Sequence, residues 1–242
     1  MANIYSLDLE RGSSQLANHA DNASLSITGD MTIECWIKPE SLNNQMVLVS
    51  KYRDGTQNQR SYYLDTNASG GIRFIANQTG AGGGEGGNDH VFTCNTNPIV
   101  AGSWQHVAVS IDVSEETVVM YYNVGVVANT HTVDPGTLGT IFDSTAPFVV
   151  GANATNAAEW TNFYDGLIDD VRLWNDIRTG AEILQNYQRE LNGNEANLSG
   201  YWKLNNDYTD ETANANDLTA VATPVFSTTI PFTGFAPRVI LF

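Results

Sequence analysis

The stretch that decides the fold reads Asp165-Gly166-Leu167-Ile168-Asp169-Asp170-Val171-Arg172-Leu173-Trp174, a tight turn followed by an alternating strand. Side chains alternate between the two faces of a strand, so Leu167 and the apolar residues at period two are expected to face a core. Asp169 and Arg172 then remain available to solvent, to an ion or to each other. The pattern predicts one strand of a β sandwich rather than an active site.

Strand-like segments bounded by turn residues recur before this stretch. In the clearest of them, Ile33, Cys35 and Ile37 alternate and share one face. The predicted strands cover residues 6–9, 25–27, 31–37, 47–51, 61–64, 72–76, 91–94, 106–112, 118–123, 148–151 and 167–174. Their lengths and spacing suit two packed antiparallel sheets, and their number is too large for an immunoglobulin domain.

One helix is predicted, near residues 180–191. Thr179 and Glu182 have the spacing of a capping box, and Gly193 supplies a left-handed stop after the helix. The residues expected to share its apolar face are Ile183, Leu184, Tyr187 and Leu191.

We expect a single domain over residues 1–242, in which residues 192–242 form a C-terminal extension. Residues 200–204 read as one further strand, and the tail beyond them is apolar. The tail is expected to pack back on the sandwich, because its aromatic and aliphatic residues would otherwise be exposed. A linker to another domain is the alternative.

The charge balance argues against two classes of partner. Eleven Lys and Arg residues stand against 27 Asp and Glu residues, which gives a formal net charge of −16 at pH 7. Such a chain repels nucleic-acid phosphates and anionic lipid headgroups. The chain has no run of about 18 apolar residues, so no membrane-spanning helix is expected. We therefore expect neither nucleic-acid binding nor membrane insertion.

The composition favours an extracellular or surface-exposed protein, because the chain is rich in Asn, Thr, Gly and Ser and only 16% charged. Residues 1–8 lack the basic start and apolar run of a signal peptide. Cys35 and Cys94 are too few for a disulfide scaffold or a zinc site. Two buried thiols and a Cys35–Cys94 bridge both remain open.

Four segments carry a resemblance to a known family. Residues 31–39, 49–51, 102–108 and 165–174, in this order and spacing, resemble the laminin-G-like jelly rolls of the concanavalin A-like lectin and glucanase superfamily. The resemblance covers about residues 5–190. It implies an all-β, antiparallel, two-sheet jelly-roll sandwich to which the helix after Trp174 belongs. Residues 122–126 depart from the pattern, because relatives usually have a strand followed by Asn-Gly.

The resemblance leaves the function broad, since this fold hosts glycan-binding modules, adhesion domains and glycosidases. Glucanases of the superfamily place acidic residues at alternate positions of one strand, and we find no such strand here. Glu115 and Glu116 are adjacent in a predicted hairpin loop, where they read as solvated. The four histidines are scattered along the chain, and His106 reads as a structural residue of a core strand. We therefore expect no enzyme.

Trp160 is the leading candidate for ligand contact. It lies in a polar loop, residues 153–164, where an exposed indole could stack on a sugar ring while neighbouring amides bind hydroxyl groups. Tyr164 in the same loop is a second candidate. The alternative is a loop aromatic folded onto the rim of the core.

Two other loops are expected to line the same rim. Residues 52–60 offer Tyr52, Arg53 and Asp54, whose phenol, guanidinium and carboxylate groups suit hydroxyl-rich ligands. Residues 79–90 are rich in glycine and predict a flexible lid or a variable hairpin tip, because Glu85 would oppose a phosphate.

Calcium is the one cofactor expected. By resemblance, a structural calcium ion in some members of the superfamily is held by a strand carboxylate, matched here by Asp169, and by a backbone carbonyl, matched here by Gly29. The alternative is that Asp169 caps a turn or pairs with Arg172.

The sequence thus predicts a non-catalytic carbohydrate-binding or adhesion module, stabilised by calcium, with a glycan or a cell-surface partner. The first alternative is a structural surface or assembly protein that self-associates through the jelly roll. The second is a polysaccharide-cleaving enzyme.

Overall fold

The computed structural model describes residues 3–55, 58–82, 88–133, 136–155 and 159–232. They form two packed antiparallel β sheets and one α helix, a jelly-roll sandwich that confirms the predicted fold class. The described residues include no helix long and apolar enough to cross a membrane.

The strands are numbered in chain order. They are β1 (Ser6–Leu9), β2 (Leu16–His19), β3 (Met31–Pro39), β4 (Met46–Arg53), β5 (Gln59–Thr66), β6 (Ile72–Asn77), β7 (Asp89–Cys94), β8 (Gln105–Asp112), β9 (Thr117–Tyr122), β10 (Gly125–Val127), β11 (Asn129–Val133), β12 (Phe148–Val150), β13 (Asn153–Ala154), β14 (Trp160–Thr161), β15 (Gly166–Trp174), β16 (Leu198–Trp202), β17 (Thr219–Val221) and β18 (Val225–Ser227). The helix α1 covers Gly180–Asn186.

The first sheet, sheet 1, has the strand order β10-β9-β8-β3-β15-β1-β18, and β16 pairs with β15 beside β1. The second, sheet 2, has the order β11-β7-β6-β5-β4-β12-β2-β17, with the short strands β13 and β14 attached to β4. The predicted face of β3 is confirmed, because Ile33, Cys35 and Ile37 all lie in the core between the sheets. Within this core, Phe148 of β12 stacks on Trp202 of β16, with the two ring centres 4.6 Å apart.

The deciding stretch forms β15, which pairs along one edge with β3 and along the other first with β1 and then with β16. Its register shifts between Asp169 and Arg172, and Asp170 has a left-handed φ of 53°. This bulge reverses the alternation, so Ile168 faces the core before it and Val171 after it. Leu167, expected to face a core, is buried but lies outside the cluster between the sheets.

Asp169 and Arg172, expected to be available to solvent, are fully buried. Asp169 is in contact with Asn3 from the N-terminal segment, and Arg172 is covered by α1 and the chain after it. The Arg172 guanidinium donates to the backbone carbonyls of Asn186 (3.1 Å) and Arg189 (2.6 Å). It also lies 2.5 Å from Asp170 Oδ2.

A buried cluster of charges sits under this cover. Glu34 accepts from Trp174 Nε1 (2.9 Å) and Arg172 Nη1 (3.4 Å), and its other oxygen lies 3.1 Å from His106 Nε2. His106 is fully buried, as expected for a structural histidine. Burial alone would raise the pKa of Glu34, but Arg172, His106 and Trp174 more than offset it and lower that pKa to about 2.

Helix α1 begins with the predicted capping box, in which Thr179 accepts from the Glu182 backbone and Glu182 accepts from the Thr179 backbone. The helix ends at Asn186, five residues before the predicted end at Leu191. Of its expected apolar face, Ile183 is buried against sheet 1, whereas Leu184 is exposed.

Two other expectations change in detail. Residues 25–27 form no strand, because Ala23–Leu25 is a 3-10 turn capped by Asn22.

The C-terminal extension adds β16 and β18 to sheet 1 and β17 to sheet 2, and Phe232 is buried beside Trp36. Residues 233–242 of the predicted packed tail lie outside the described residues. The domain boundaries stay a prediction.

Both cysteines are buried free thiols, which settles the two readings left open by the sequence. Cys35 lies in β3 of sheet 1, and Cys94 ends β7 of sheet 2.

Candidate ligand-binding rim

Three loops meet at one end of sheet 2, as the sequence predicted. The Arg60 backbone donates to the carbonyl of Gly80 (3.3 Å), and the Asp54 backbone donates to the carbonyl of Ala154 (2.7 Å). The loop of residues 52–60 therefore touches both of its neighbours. We call the described parts of these loops, residues 52–55, 58–60, 79–82, 88–90, 153–155 and 159–164, the rim. Of the predicted lid or hairpin tip at residues 79–90, residues 83–87 lie outside the described residues.

A hydrogen-bonded cluster braces the rim from inside. Asn77 and Asp89 lie opposite each other in the pairing of β6 with β7, and Asn77 Nδ2 donates to Asp89 Oδ1 (2.7 Å). The Tyr52 hydroxyl donates to Asp89 Oδ2 (2.8 Å), and Arg60 Cζ lies 5.6 Å from the Tyr52 ring centre. Burial raises the pKa of Asp89, although Asn77, Tyr52 and Arg60 oppose the shift.

Arg60 links this cluster to the exposed edge of the rim. Its side chain is almost fully buried and forms an ion pair with Asp54, whose side chain is 47% exposed. The sequence pattern does not indicate the bracing roles of Asn77 and Asp89, because the two residues meet only through strand pairing. Their place on either side of a glycine-rich hairpin is the one signal that could have indicated them.

Two of the predicted contact residues are not on the surface. Tyr52 is buried, and its ring meets that of Tyr63 edge-on at 4.8 Å. Tyr164 is fully buried in the core between the sheets, where its hydroxyl donates to the carbonyl of Leu167 (3.0 Å). Tyr52 packs in a cluster on the outer face of sheet 2, whereas Tyr164 lies between the sheets, so the expected exposure of both rings is corrected.

Trp160 lies on the outer face of sheet 2 and remains partly exposed. Its indole packs against Leu16 and Val149, as the alternative of an aromatic folded onto the rim described. In the sheet, Trp160 is opposite Ala154, and Ala154 is paired with Arg53. Two strand spacings therefore separate the backbones of Trp160 and Arg53, a distance of about 10 Å.

The rim thus presents three partly exposed side chains of different chemistry. Trp160 offers an aromatic face, Arg53 a guanidinium group and Asp54 a carboxylate held by Arg60. These are the groups that bind the C–H and hydroxyl faces of a polar organic ligand.

Asp169 and Gly29 are not brought together. Asp169 pairs with Trp36, which lies five positions beyond Met31, the first residue of β3, while Gly29 precedes that strand by two. At about 3.3 Å per residue the two are on the order of 20 Å apart. Since calcium ligands lie within about 2.6 Å of the ion, the expectation that both hold one ion is corrected.

The surroundings of Asp169 nevertheless fit a calcium ion in donor type. Its Oδ2 accepts from Asn3 Nδ2 (2.6 Å), and the buried amide oxygen of Asn3 has no hydrogen-bond partner among the described residues. Burial, together with Asp170 and Glu190, raises the pKa of Asp169 well above its usual range. Arg172, the alternative partner, pairs instead with Asp170 and Glu34.

Gly29 lines a separate polar cleft of about 560 Å³ at the opposite end of β3. Its walls carry hydroxyl and amide groups, including Ser24, Asn175 and Asn214. Several of these groups bond to the protein itself, as Asn214 does to the carbonyl of Ser199 (2.9 Å). The cleft lacks an aromatic side chain among the described residues that line it, so the rim remains the better candidate.

The comparisons with known proteins agree with this architecture. Residues 11–184 match the family described as the concanavalin A-like lectin/glucanases superfamily. The chain belongs to this family, as the resemblance of its strand segments implied.

Solved structures with the same fold share little sequence with this chain. One is described as "a putative carbohydrate binding protein" from Bacteroides ovatus, with 15% identity and a TM-score of 0.66 over 97% of this chain. This chain spans 62% of that protein's length. The CBM40 of the Ruminococcus gnavus IT-sialidase, bound to α2,3 sialyllactose, has 14% identity and a TM-score of 0.57 over 74% of this chain and 94% of its own.

A heptameric SAP-like pentraxin from Limulus polyphemus has 13% identity and a TM-score of 0.53, over 88% of this chain and 93% of its own. No curated protein matches this chain in sequence. At these identities the structural likeness establishes the fold alone.

Proposed function

We propose that this protein is a non-catalytic carbohydrate-binding module, and that it binds its glycan at the rim. The observation that carries the proposal is the partly exposed indole of Trp160, about 10 Å in backbone distance from Arg53. Arg53 and its neighbour Asp54 lie on one loop and Trp160 on another, and a backbone hydrogen bond joins the two loops. The fold it shares with a sialidase CBM40 and with the Bacteroides ovatus protein supports the same reading.

The chemistry of the rim favours a neutral, hydroxyl-rich glycan. The face of a sugar ring presents C–H groups that pack on an indole, and its hydroxyl groups can donate to the Asp54 carboxylate. Arg60 fixes that carboxylate, so less side-chain freedom is lost on binding. The net charge of −16 opposes an acidic glycan.

A glycan array followed by calorimetry with the best neutral oligosaccharide tests the proposal. Trp160→Ala is expected to remove about 1 kcal/mol of binding free energy, about a fivefold increase in Kd. Asp54→Asn should weaken binding further by removing a charged acceptor. Trp104→Ala is the matched control, since Trp104 is a partly exposed indole in the turn before β8 of sheet 1.

The outcomes separate the candidate functions. Equal loss of affinity in Trp160→Ala and Trp104→Ala would move the site away from the rim. A silent array together with concentration-dependent oligomers in sedimentation would favour the self-associating assembly protein. Turnover of a polysaccharide would favour the enzyme.

A structural calcium ion at Asp169, without Gly29, is part of the proposal. If Asp169 binds calcium, adding the ion after chelation should raise the melting temperature, and Asp169→Asn should abolish that rise. If no ion binds, Asp169→Asn should leave stability unchanged or raise it, because the variant removes a buried carboxyl group flanked by Asp170. We propose an extracellular or cell-surface location, where glycan partners are found.

A further inference from the structure

Three potential metal ligands meet at the edge of the sandwich, and none of them is among the proposed glycan contacts. They are His90 in β7, His131 in β11 and Glu116 in the hairpin between β8 and β9. His90 belongs to the rim segment 88–90, but its side chain lies on the face of β7 opposite to that of Asp89. One ligand atom from each lies within 4.8 Å of the other two. His90 Nδ1 is 2.5 Å from Glu116 Oε1.

Strand pairing holds the two imidazoles in place. His131 lies opposite Phe92 in the pairing of β11 with β7, and the two rings stack at 4.1 Å with an interplanar angle of 12°. His90 is two residues before Phe92, so it occupies the same face of β7, and its ring lies 5.4 Å from that of His131. His90 is fully buried.

The carboxylate comes from the other sheet. Glu116 ends the turn between β8 and β9 of sheet 1 with a left-handed φ of 52°. The turn is held by Asp112, which accepts from the Glu115 backbone (2.9 Å) and the Ser114 hydroxyl (2.8 Å). Glu116 keeps 21% of its side chain exposed, which leaves a route from solvent to the cluster.

We propose that His90, His131 and Glu116 bind a zinc ion, with the fourth ligand supplied by water or by a bound partner. Two imidazoles and one carboxylate form a donor set that zinc takes in proteins when one position stays open. Calcium is disfavoured here, because it requires six to eight oxygen ligands.

The distances are compatible with a small adjustment on binding. Zinc–nitrogen bonds of about 2.0–2.1 Å place the ligands of a tetrahedral ion about 3.4 Å apart. The His90–Glu116 contact of 2.5 Å is shorter than that value, and all three ligand atoms lie within 4.8 Å of one another. Side-chain rotations of Glu116 and His131, both only partly buried, can close the difference.

Such an ion would join the two sheets. His90 and His131 belong to sheet 2, whereas Glu116 belongs to a turn of sheet 1. Because the three ligands are far apart in sequence, binding would require the folded sandwich and would raise its stability by linkage. This inference is independent of glycan binding at the rim.

The test is a titration of chelator-treated protein with Zn²⁺ and with Co²⁺ by calorimetry, in excess Mg²⁺ to saturate unspecific acidic sites. We expect one ion per chain, a rise in melting temperature, and visible Co²⁺ absorption typical of tetrahedral coordination. Binding should weaken on acidification, because protons compete with the ion for the ligand atoms.

Variants decide whether these residues hold the ion. Glu116→Gln and His131→Gln should each weaken binding at least tenfold, while Glu115→Gln and His19→Gln, a neighbouring exposed carboxylate and a histidine in β2, should leave it unchanged. Glu116→Gln is the safer variant, since Glu116 is partly exposed and its loss need not disturb the core. Absent binding, or equal affinity in all four variants, would overturn the proposal.

Discussion

Glu34 offers the sharpest test of the buried charge cluster on sheet 1. Its carboxylate is shared by Trp174, Arg172 and His106, and its pKa is lowered to about 2 in the folded protein. In the unfolded chain the value returns to its ordinary 4.5. A lowered folded-state pKa means that the ionised carboxylate contributes stability above pH 4.5 and loses it as the pH falls toward 2.

The difference of about 2.5 pKa units corresponds to about 3 kcal/mol of stability at neutral pH. Integrating the two titrations, about 2 kcal/mol of this is lost between pH 5 and pH 3. Glu34→Gln removes the charge at every pH. The free energy of unfolding of the variant should therefore lie below that of the wild type at pH 7, and the gap should shrink on acidification.

Urea denaturation of both proteins at pH 7, 5, 4 and 3 measures this gap. The comparison cancels the other carboxyl groups of the chain, provided that the variant leaves their surroundings unchanged. Glu115→Gln, in the exposed turn after β8, serves as the control and should follow the wild type. A constant gap between wild type and Glu34→Gln from pH 7 to pH 3 would refute the assigned pKa and the charge pairing behind it.

Three further experiments test local features. Thr179→Ala should cost about 1 kcal/mol in urea denaturation, because it removes the capping box with Glu182; no change would mean that packing alone holds α1. Gly166→Ala should cost on the order of 3 kcal/mol, seen as a lower melting temperature, since φ is +131° and a Cβ would lie 2.4 Å from the Lys38 carbonyl oxygen. Cys35 should resist thiol reagents until denaturant is added, because burial raises the pKa of its thiol; labelling of the native protein would contradict this.

The alternating segments of the sequence predict most of the sandwich because period-two patterning is local. Residues 31–37 show it best, since each apolar side chain needs only its own strand to define its face. The capping box before α1 is local as well. The end of α1 is less local, because Leu191 packs with Trp174 and Tyr201 rather than on the helix face.

The predictions that failed depend on contacts between distant segments. The residue pattern of β15 alone does not predict the bulge at Asp170, because a bulge is defined by the pairing with β3. The bulge exchanges the faces on which the following side chains lie. Arg172 is buried because helix α1, which follows it in the chain, lies over it. The alternation within β15 cannot predict a cover that comes from another element. The rim loops could be grouped by composition, but the burial of Tyr52 and Tyr164 depends on partners from other strands.

The divided edge of β15 has a consequence for how the chain folds during synthesis. β1, which covers its first half, precedes β15 in the chain, whereas β16, which covers its second half, follows β15 by more than twenty residues. The central strand of sheet 1 therefore stays half unpaired until the helix and β16 have both emerged. Until that moment its free edge is open to pairing with other chains, so the interval between the emergence of β15 and that of β16 from the ribosome favours aggregation.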